Sequence, residues 1–360
     1  MSLFHSLTVG EVRPELSDCV SVSFVVPAEL AETFQYQAGQ YLTFRTSING
    51  EEVRRSYSIC SAPEEGELRV AIKKIEGGAF STWANDTLRA GDLLEAMPPD
   101  GKFTRQFPEV RAKNYLGVAA GSGITPVMSL LKTVLAEEPQ SSFTLIYGNR
   151  GRNNVLFKEE LDALKNRFLG RLRIYHVFSR EAMEVPLFNG RIDKEKALQF
   201  CKHLIRPQSL DEVFICGPEE MILSVRDTLQ EQGIPESRIH FELFATAAAI
   251  AGKPVKKAVL SESESGSVSQ VRITLDGITT EFSLPYGGVN ILDAALAAGA
   301  DLPYACKGGV CATCRARVTE GEVEMDLNYS LEASDVARGF ALTCQSHPRS
   351  AVVAVDFDQR

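Results

Sequence analysis

The sequence predicts a multidomain protein in which an antiparallel β-barrel is followed by an α/β domain with a doubly wound parallel sheet and by an α+β domain. Three observations support this architecture. Short strand-like segments with turn signals fill residues 1–110, strands alternate with helices over residues 111–245, and a hairpin with a tight-turn pair opens residues 269–360. Residues 246–268 lack periodicity and include a run of serine and glutamate, which is typical of a linker.

The individual elements follow from apolar periodicity and turn residues. In the barrel, strands are predicted at residues 7–12, 19–26, 41–45, 54–60, 67–75 and 93–97, with one helix at 81–89. In the α/β domain, strands are predicted at 115–120, 143–147, 172–178 and 212–216, with helices at 126–136, at 156–168, within 187–203 and at 219–232. In the last domain, strands at 271–275 and 279–284 flank Asp276-Gly277, and a helix at 289–298 ends before Gly299.

Chain length, net charge and cysteine usage exclude some classes of function and favour others. A chain of 360 residues is long enough for two or three domains, and its net charge of −9 argues against nucleic acid as a partner. The sequence contains neither a secretory signal nor an apolar run of about 18 residues, which predicts no membrane association. Four of the eight cysteines are scattered singly, which predicts a reduced, cytoplasmic protein: Cys19, Cys60, Cys201 and Cys216.

The other four cysteines form a spaced motif. Cys306, Cys311 and Cys314 follow the C-x4-C-x2-C pattern, and Cys344 lies further along the chain. This is the plant-type [2Fe–2S] pattern, in which three thiolates come from one tight loop and the fourth from a separate segment. A structural zinc site is the alternative, but zinc usually takes two separated C-x2-C pairs and only one is present. The motif therefore favours an iron–sulfur cluster.

Two segments of the barrel predict a flavin site. Arg55-Ser56-Tyr57-Ser58 lies on a predicted strand, where a guanidinium can bind a pyrophosphate, a ring can stack on a flavin and a hydroxyl can reach a ring nitrogen. Residues 72–81 follow, with Gly77-Gly78 before a helix and Ser81 as a candidate cap, which suits a phosphate. The alternatives are ordinary sheet surface and a plain turn.

The α/β domain predicts a nicotinamide nucleotide site. Gly121, Gly123 and Thr125 lie between the first strand and its helix, and Thr125 is a candidate cap of that helix, although Pro126 makes the dinucleotide fingerprint only partial. Cys216-Gly217 ends a later strand, where Cys216 suits either a nicotinamide contact or a buried core position. Asn149-Arg150 and Ser179-Arg180 end two further strands. The first of these strand ends carries no acidic residue, which favours NADPH, whereas Glu181 after the second opposes a 2′-phosphate. Solvated loop arginines are the alternative.

These motifs stand in the order found in the ferredoxin–NADP⁺ reductase family, which the first 245 residues resemble. The last 90 or so residues resemble a plant-type ferredoxin, and this order is similar to that of oxygenase reductase components. The resemblance implies a β-grasp fold for the last domain and catalytic roles for Ser58, Cys216, Glu242 and Phe244. It implies FAD on Arg55, Ser56, Tyr57, Ser58, Ile72, Lys73, Gly78, Phe80 and Ser81. It also implies NADPH on Gly121, Gly123, Thr125, Asn149, Arg150, Ser179, Arg180, Cys216 and Gly217, with the cluster on the four motif cysteines.

The resemblance also implies a reaction. Electrons would pass from NADPH through FAD and the [2Fe–2S] cluster to a di-iron oxygenase that epoxidises phenylacetyl-CoA, in phenylacetate catabolism. One alternative is an NADH-using reductase of another oxygenase or hydroxylase. A second is a non-catalytic electron carrier or redox-sensing module, against which the intact nucleotide motifs argue.

Overall fold

The computed structural model describes residues 3–105, 112–244 and 267–359, which form two compact units. One unit spans Phe4–Phe244, and the other contains the described residues from 267 onward. The linker predicted over residues 246–268 lies outside the described residues except for its last two, and Val268 already belongs to a strand.

Six antiparallel strands form the barrel of the first unit. They are β1 (His5–Leu16), β2 (Cys19–Val25), β3 (Tyr41–Ile48), β4 (Glu51–Ser58), β5 (Leu68–Lys73) and β6 (Leu93–Ala96), in the order β4-β3-β6-β1-β2-β5. An isolated bridge between Ile59 and Val70 joins the two ends of this order. Helix α1 (Ala79–Asp86) contributes Phe80 to the core, where it packs near Phe44. The predicted barrel is therefore confirmed.

Five parallel strands form the second sheet of this unit. They are β7 (Asn114–Ala120), β8 (Ser142–Asn149), β9 (Leu172–Phe178), β10 (Glu212–Gly217) and β11 (Ile239–Leu243), in the order β11-β10-β7-β8-β9. The helices are α2 (Ile124–Glu137), α3 (Lys158–Arg167), α4 (Lys194–His203) and α5 (Glu219–Glu231). Because the strand order reverses between β7 and β10, the carboxyl ends of these two strands form the switch point at which such sheets bind ligands.

The described residues of the second unit, 267–359, form a mixed five-stranded sheet, a pair of short strands and two short helices. Its strands are β12 (Val268–Leu275), β13 (Ile278–Pro285), β14 (Arg315–Glu320), β16 (Phe340–Leu342) and β18 (Val352–Asp356), in the order β13-β12-β18-β14-β16. Strands β15 (Val323–Met325) and β17 (Ser346–Pro348) pair separately, and the helices are α6 (Ile291–Ala297) and α7 (Ala333–Ala337). Because β12 and β18 run parallel and share a core with α6, the unit has the expected β-grasp architecture.

The predicted hairpin and helix of the second unit are confirmed in detail. Asp276 and Gly277 both have positive φ, 51° and 71°, as the favoured two-residue hairpin turn requires. Asn290 caps α6 by accepting the N–H of Asp293, and Gly299 follows its end with φ of 91°. Strands β11 and β14 to β18 were not predicted, because most are three to six residues long and are defined by partners distant in sequence.

No helix in the described ranges is both long and apolar enough to cross a bilayer.

A nearly buried ion network joins the barrel to the second sheet. Lys132 on α2 is 4% exposed and Arg69 on β5 is 5% exposed, and both pair with Glu160 on α3. Lys132 also contacts Glu65 of the barrel at 3.0 Å. Burial tends to raise the pKa of Glu160, but the two cations outweigh burial and lower it. The network therefore helps to fix the two sheets in one orientation, because each cation bridges elements of both.

We expect Glu160→Gln to lower the free energy of unfolding by about 1 to 3 kcal/mol at pH 7, since it leaves two nearly buried cations with one anion fewer. Because the folded pKa of Glu160 is depressed, its stabilisation is present above its unfolded pKa and is lost as pH falls through the folded pKa. Urea unfolding at pH 7 and below pH 4 measures this difference. Asp162→Asn, which removes an exposed pair with Lys158 on the same helix, is the control and should cost at most about 0.5 kcal/mol. Equal effects of the two variants would contradict the prediction.

Candidate functional site

The cysteine loop has the backbone shape that a cluster needs. Lys307, Gly309 and Ala312 all have positive φ, between 50° and 75°, so the chain coils tightly around the sulfurs. A Cβ at Gly309 would lie 2.9 Å from the Leu327 carbonyl oxygen, so this glycine is also required by close approach. The N–H groups of Gly308 and Cys311 donate to Cys306 Sγ at 3.3 and 3.4 Å, so the loop backbone points at this sulfur.

Among the influences on the pKa of Cys306 the Cys311 side chain is the largest, and for Cys314 it is the Cys344 side chain, so the four cysteines lie near one another as two neighbouring pairs. The Cys311 thiol and the loop N–H groups lower the pKa of Cys306, which favours the thiolate form. In the described ranges, no three His, Cys, Asp or Glu side chains converge as the ligands of one metal ion would. Two neighbouring pairs match a [2Fe–2S] cluster, in which each iron takes two thiolates. The donor set therefore fits a [2Fe–2S] cluster.

The segment that carries Cys344 is tied to the cysteine loop by hydrogen bonds. Thr343 Oγ1 donates to the Cys314 carbonyl at 3.0 Å, and Gln345 Nε2 donates to the Lys307 carbonyl at 3.0 Å. Gln345 Nε2 also lies 3.8 Å from Cys344 Sγ. Sequence reasoning did not identify Gln345, although its position beside the fourth cysteine was the available signal.

Strand β4 presents the predicted flavin residues as alternation requires. Arg55 and Tyr57 are half-buried, and the Tyr57 ring lies 5.5 Å from that of Phe80. Ser58 is buried, and Ser56 Oγ lies 2.9 Å from Thr43 Oγ1 on β3. The aromatic side chains fit an isoalloxazine ring, and the adjacent Arg55 guanidinium fits the phosphates of FAD.

The glycine turn before α1 is confirmed, but the role of Ser81 is not. Gly77 has φ of 72°, and Gly78 is the residue before the helix. Ser81 lies inside the helix, where its hydroxyl accepts the Ile75 N–H and donates to the Gly78 carbonyl. The predicted capping by Ser81 was therefore wrong, because the helix starts two residues earlier and the hydroxyl faces the turn.

The remaining predicted flavin residues surround this turn. Ile72 and Phe80 are fully buried, so only their backbone groups could face a ligand, whereas Lys73 is paired with Asp18 at 3.6 Å. A cavity of about 360 Å³ opens beside Gly78 and is lined further by Asn49, Thr82 and Trp83. Trp83, the only tryptophan, was not identified from the sequence. The cavity therefore lies at the glycine turn that is predicted to bind a flavin phosphate.

Two glycine-bearing loops meet at the switch point of the parallel sheet. A Cβ at Gly123 would lie 2.3 Å from the Cys216 carbonyl oxygen and 2.9 Å from the Gly217 nitrogen. Only glycine allows the loop after β7 to approach the loop after β10 this closely. Gly121 has φ of 55°, and its carbonyl accepts the Tyr147 hydroxyl at 2.9 Å. The structure thus joins two motifs that lie about 90 residues apart.

Thr125 does not cap α2, contrary to expectation. Gly123 occupies the position before the helix, and Thr125 Oγ1 donates back to the Ser122 carbonyl at 3.0 Å. The prediction was wrong because residues 121–123 form a short 3-10 turn, which moves the helix start ahead of Thr125. The first N–H groups of α2 therefore have no side-chain cap, which leaves that helix end able to accept an anion.

Three of the four residues with expected catalytic roles converge. Ser58 at the end of β4 donates to Glu242 Oε2 at 3.3 Å, and Cys216 pairs in register with Glu242 across β10 and β11. Burial raises the pKa of the half-buried Glu242 to about 8, and the Ser58 hydroxyl opposes this rise. Burial also raises the pKa of Cys216, so its thiol stays neutral. Phe244 is half-buried and packs against the core that includes α2.

Strands β8 and β9 end in a cavity of about 420 Å³. Its walls include Arg150, Arg180 and Glu181, together with Asn153 and Asn154, which the sequence reasoning missed. The Ser179 and Arg180 N–H groups donate to the Asn149 and Arg150 carbonyls, which holds the two strand ends side by side. The Asn149 side chain lies beside the Tyr147 hydroxyl at this end of β8.

Comparisons with known proteins agree with this geometry. The chain is 45% identical over 360 residues to a subunit of the 1,2-phenylacetyl-CoA epoxidase of Escherichia coli, covering 100% of this chain and 99% of that protein. It is 33% identical to the ferredoxin reductase component of 3-ketosteroid-9-alpha-monooxygenase from Rhodococcus rhodochrous, covering 98% and 96%. The solved structure of phthalate dioxygenase reductase shares the fold, with a TM-score of 0.59, 24% identity and 98% coverage of both chains.

Three family models match successive parts of the chain. The oxidoreductase FAD-binding domain matches residues 9–105, the oxidoreductase NAD-binding domain matches 118–227, and the 2Fe-2S iron-sulfur cluster binding domain matches 273–349. The fold and the site thus define a flavin and iron–sulfur oxidoreductase that takes electrons from a pyridine nucleotide. The chain belongs to the ferredoxin–NADP⁺ reductase family, among the oxygenase reductase components that carry a carboxyl-terminal [2Fe–2S] ferredoxin domain.

We expect Glu242→Gln to change stability only at higher pH. A carboxyl with a raised folded pKa stabilises fully below its unfolded pKa of about 4.3, and this contribution is lost as pH rises through about 8. Glutamine stays neutral, so the variant should match the wild type near pH 4 and exceed its free energy of unfolding by several kcal/mol, at most about 5 kcal/mol, near pH 9. Denaturant unfolding at both pH values measures this, with the exposed Glu236→Gln as control. A constant difference across the pH range would contradict the prediction.

Proposed function

We propose that this protein passes electrons from NADPH through FAD and the [2Fe–2S] cluster to the di-iron oxygenase that epoxidises the ring of phenylacetyl-CoA. The observation that carries the choice of acceptor is the 45% identity, along the whole chain, to a subunit of the phenylacetyl-CoA epoxidase of Escherichia coli. Electron transfer from a pyridine nucleotide through these cofactors to an oxygenase is the activity of the family. The oxygenase type and the substrate are the proposed steps.

The chain supplies binding and orientation, whereas the redox chemistry belongs to the cofactors. When bound, FAD accepts the two electrons of a hydride and releases them singly, and the cluster carries one electron at a time. In this proposal Arg55 binds the flavin pyrophosphate, Tyr57 stacks on the ring, and the turn at Gly78 accepts a phosphate. The other flavin contacts are Ser56, Ser58, Ile72, Lys73, Phe80 and Ser81.

Ser58, Cys216 and Glu242 surround the point at which hydride moves. In this proposal Cys216 contacts the nicotinamide through its neutral thiol, because it ends a strand at the switch point. The Ser58 hydroxyl donates to Glu242 at 3.3 Å, and a carboxyl with a pKa of about 8 can hold a proton beside the flavin site at neutral pH. Phe244 covers the same region from the end of β11.

The nucleotide in this proposal is NADPH. Arg150 and Arg180 line one cavity at the ends of β8 and β9, where the 2′-phosphate of a bound nucleotide would meet both. The remaining nucleotide contacts are Gly121, Gly123, Thr125, Asn149, Ser179 and Gly217. The four motif cysteines hold the cluster, and the domain limits are those predicted, 1–110, 111–245 and 269–360. The four cysteines outside the motif are free thiols, which favours a reducing compartment, and we expect the protein to act in the cytoplasm.

We expect Cys311→Ser to keep NADPH-dependent reduction of ferricyanide and to abolish electron delivery to the oxygenase, because only the second activity needs the cluster. The measurement is NADPH oxidation with purified oxygenase component and phenylacetyl-CoA, compared with ferricyanide reduction. Cys201→Ser, a half-buried cysteine outside the motif, is the matched control and should keep both activities. Equal loss of both activities in Cys311→Ser would contradict the relay. Wild-type turnover with a different oxygenase, and none with this one, would contradict the acceptor.

We expect Arg180→Ala to raise the KM for NADPH about tenfold and to leave that for NADH nearly unchanged, because an arginine–phosphate contact is worth about 1.5 kcal/mol. Steady-state ferricyanide reduction with each nucleotide measures both constants. Arg206→Ala, which removes an exposed arginine of the same domain, is the control. A parallel rise of both KM values would contradict a 2′-phosphate contact.

A further inference from the structure

We propose that Arg152 and Gly151 set the preference for a 2′-phosphorylated nucleotide by keeping the Glu181 carboxylate away from the ribose. This inference rests on the proposed use of NADPH. Glu181 follows Arg180 directly and lines the same cavity as Arg150. A carboxylate near the ribose usually accepts the 2′-hydroxyl of NADH and repels a 2′-phosphate, so its presence here requires an explanation.

Both oxygens of this carboxylate are held by a single residue. Glu181 Oε2 accepts the Arg152 backbone N–H at 2.8 Å, and Glu181 Oε1 lies 2.8 Å from Arg152 Nε. One oxygen is thus bound to the main chain and the other to a guanidinium whose side chain is 66% exposed, and this partly screened pair offsets the carboxylate charge. A carboxylate held by these two donors is a poor acceptor for a ribose hydroxyl, because a hydrogen bond to the ribose would replace one of its contacts with Arg152.

Gly151 provides the space for this arrangement. A Cβ at Gly151 would lie 2.7 Å from Glu181 Oε2, which is too close for a real contact. Its backbone is extended, with φ of −169° and ψ of −179°, a conformation that any residue adopts. The glycine is therefore needed for room rather than for backbone freedom. Alanine at this position would displace the Glu181 carboxylate without straining the backbone.

The charge balance of the cavity follows from this pairing. With the Glu181 charge offset by Arg152, Arg150 and Arg180 leave the cavity positive, and the amides of Asn153 and Asn154 add neutral hydrogen-bonding groups. Releasing Glu181 would place a negative charge beside the two arginines and weaken phosphate binding. Arg152 is therefore a positioning residue, which acts on the nucleotide through Glu181 and not by contact.

The test measures binding of nucleotide fragments to the full-length, FAD-loaded protein by isothermal titration calorimetry. The ligands are 2′-phospho-ADP-ribose and ADP-ribose, which lack the nicotinamide and so report binding without turnover. The wild type should bind the phosphorylated fragment more tightly. Arg152→Gln and Gly151→Ala should each lower this preference about three- to tenfold, which is the size expected for one partly screened charge.

Adding Glu181→Gln to either variant separates the possible causes. Because the displaced charge is then gone, each double variant should have the same preference as Glu181→Gln alone, within about twofold. If Arg152→Gln lowers the preference equally in the Glu181→Gln background, Arg152 contacts the phosphate directly and the inference is wrong. Thermal unfolding of every variant controls for folding, and Glu181→Gln alone, which removes only a charge, should keep or increase the preference.

Two further outcomes distinguish this inference from the proposed function. A wild type that prefers the phosphorylated fragment, with both single variants unchanged, would overturn the role of Arg152 and Gly151 and leave the NADPH proposal intact. A wild type that binds ADP-ribose equally well or better would overturn the NADPH proposal. It would overturn this inference as well, since Glu181 would then be available to the ribose.

Discussion

The close approach of two loops at the switch point is the constraint on which the rest of the first unit depends. Gly123 packs against the Cys216 carbonyl where no Cβ would fit, and this contact brings the loop after β7 to the end of β10. Strand β11 then places Glu242 beside Cys216, and the barrel supplies Ser58 to the same carboxyl. Residues predicted to bind flavin and residues predicted to bind the nucleotide, which come from separate sheets, therefore lie next to each other, and the Gly123 approach helps to bring them together.

A second constraint acts within the ferredoxin unit. Three residues of the cysteine loop take positive φ, and only Gly309 among them does so without steric cost. The loop accepts this cost because its N–H groups then reach the Cys306 sulfur and its thiols divide into two pairs. Binding of the cluster can offset such backbone strain, since four iron–thiolate bonds form at once. The loop shape and the pairing of the thiols are thus two consequences of one chemical requirement.

The cavity at the ends of β8 and β9 shows that the type of one residue does not define the charge of its surroundings. Glu181 opposes NADPH when only its position in the sequence is considered, because a carboxylate should repel a 2′-phosphate. In the structure Arg152 binds this carboxylate, so the summed charge of Glu181, Arg152, Arg150 and Arg180 matters more than the charge of Glu181 alone. Ser81 and Thr125 also differ from expectation. Both were expected to cap a helix, and both instead form a hydrogen bond with the turn before it.

The sequence by itself determined the domain order, nearly every strand of the barrel and of the parallel sheet, and the chemistry of the cysteine motif, because these depend on local periodicity and on fixed spacing. It did not reveal β11 or the short strands around β14, which form only when a distant strand offers hydrogen bonds. Only the tertiary structure decided that Ser58 contacts Glu242, that the four motif cysteines lie as two neighbouring pairs and that Arg152 binds the Glu181 carboxylate. The physical reason is that these contacts join residues far apart in the chain, or depend on side-chain direction, which no local pattern records.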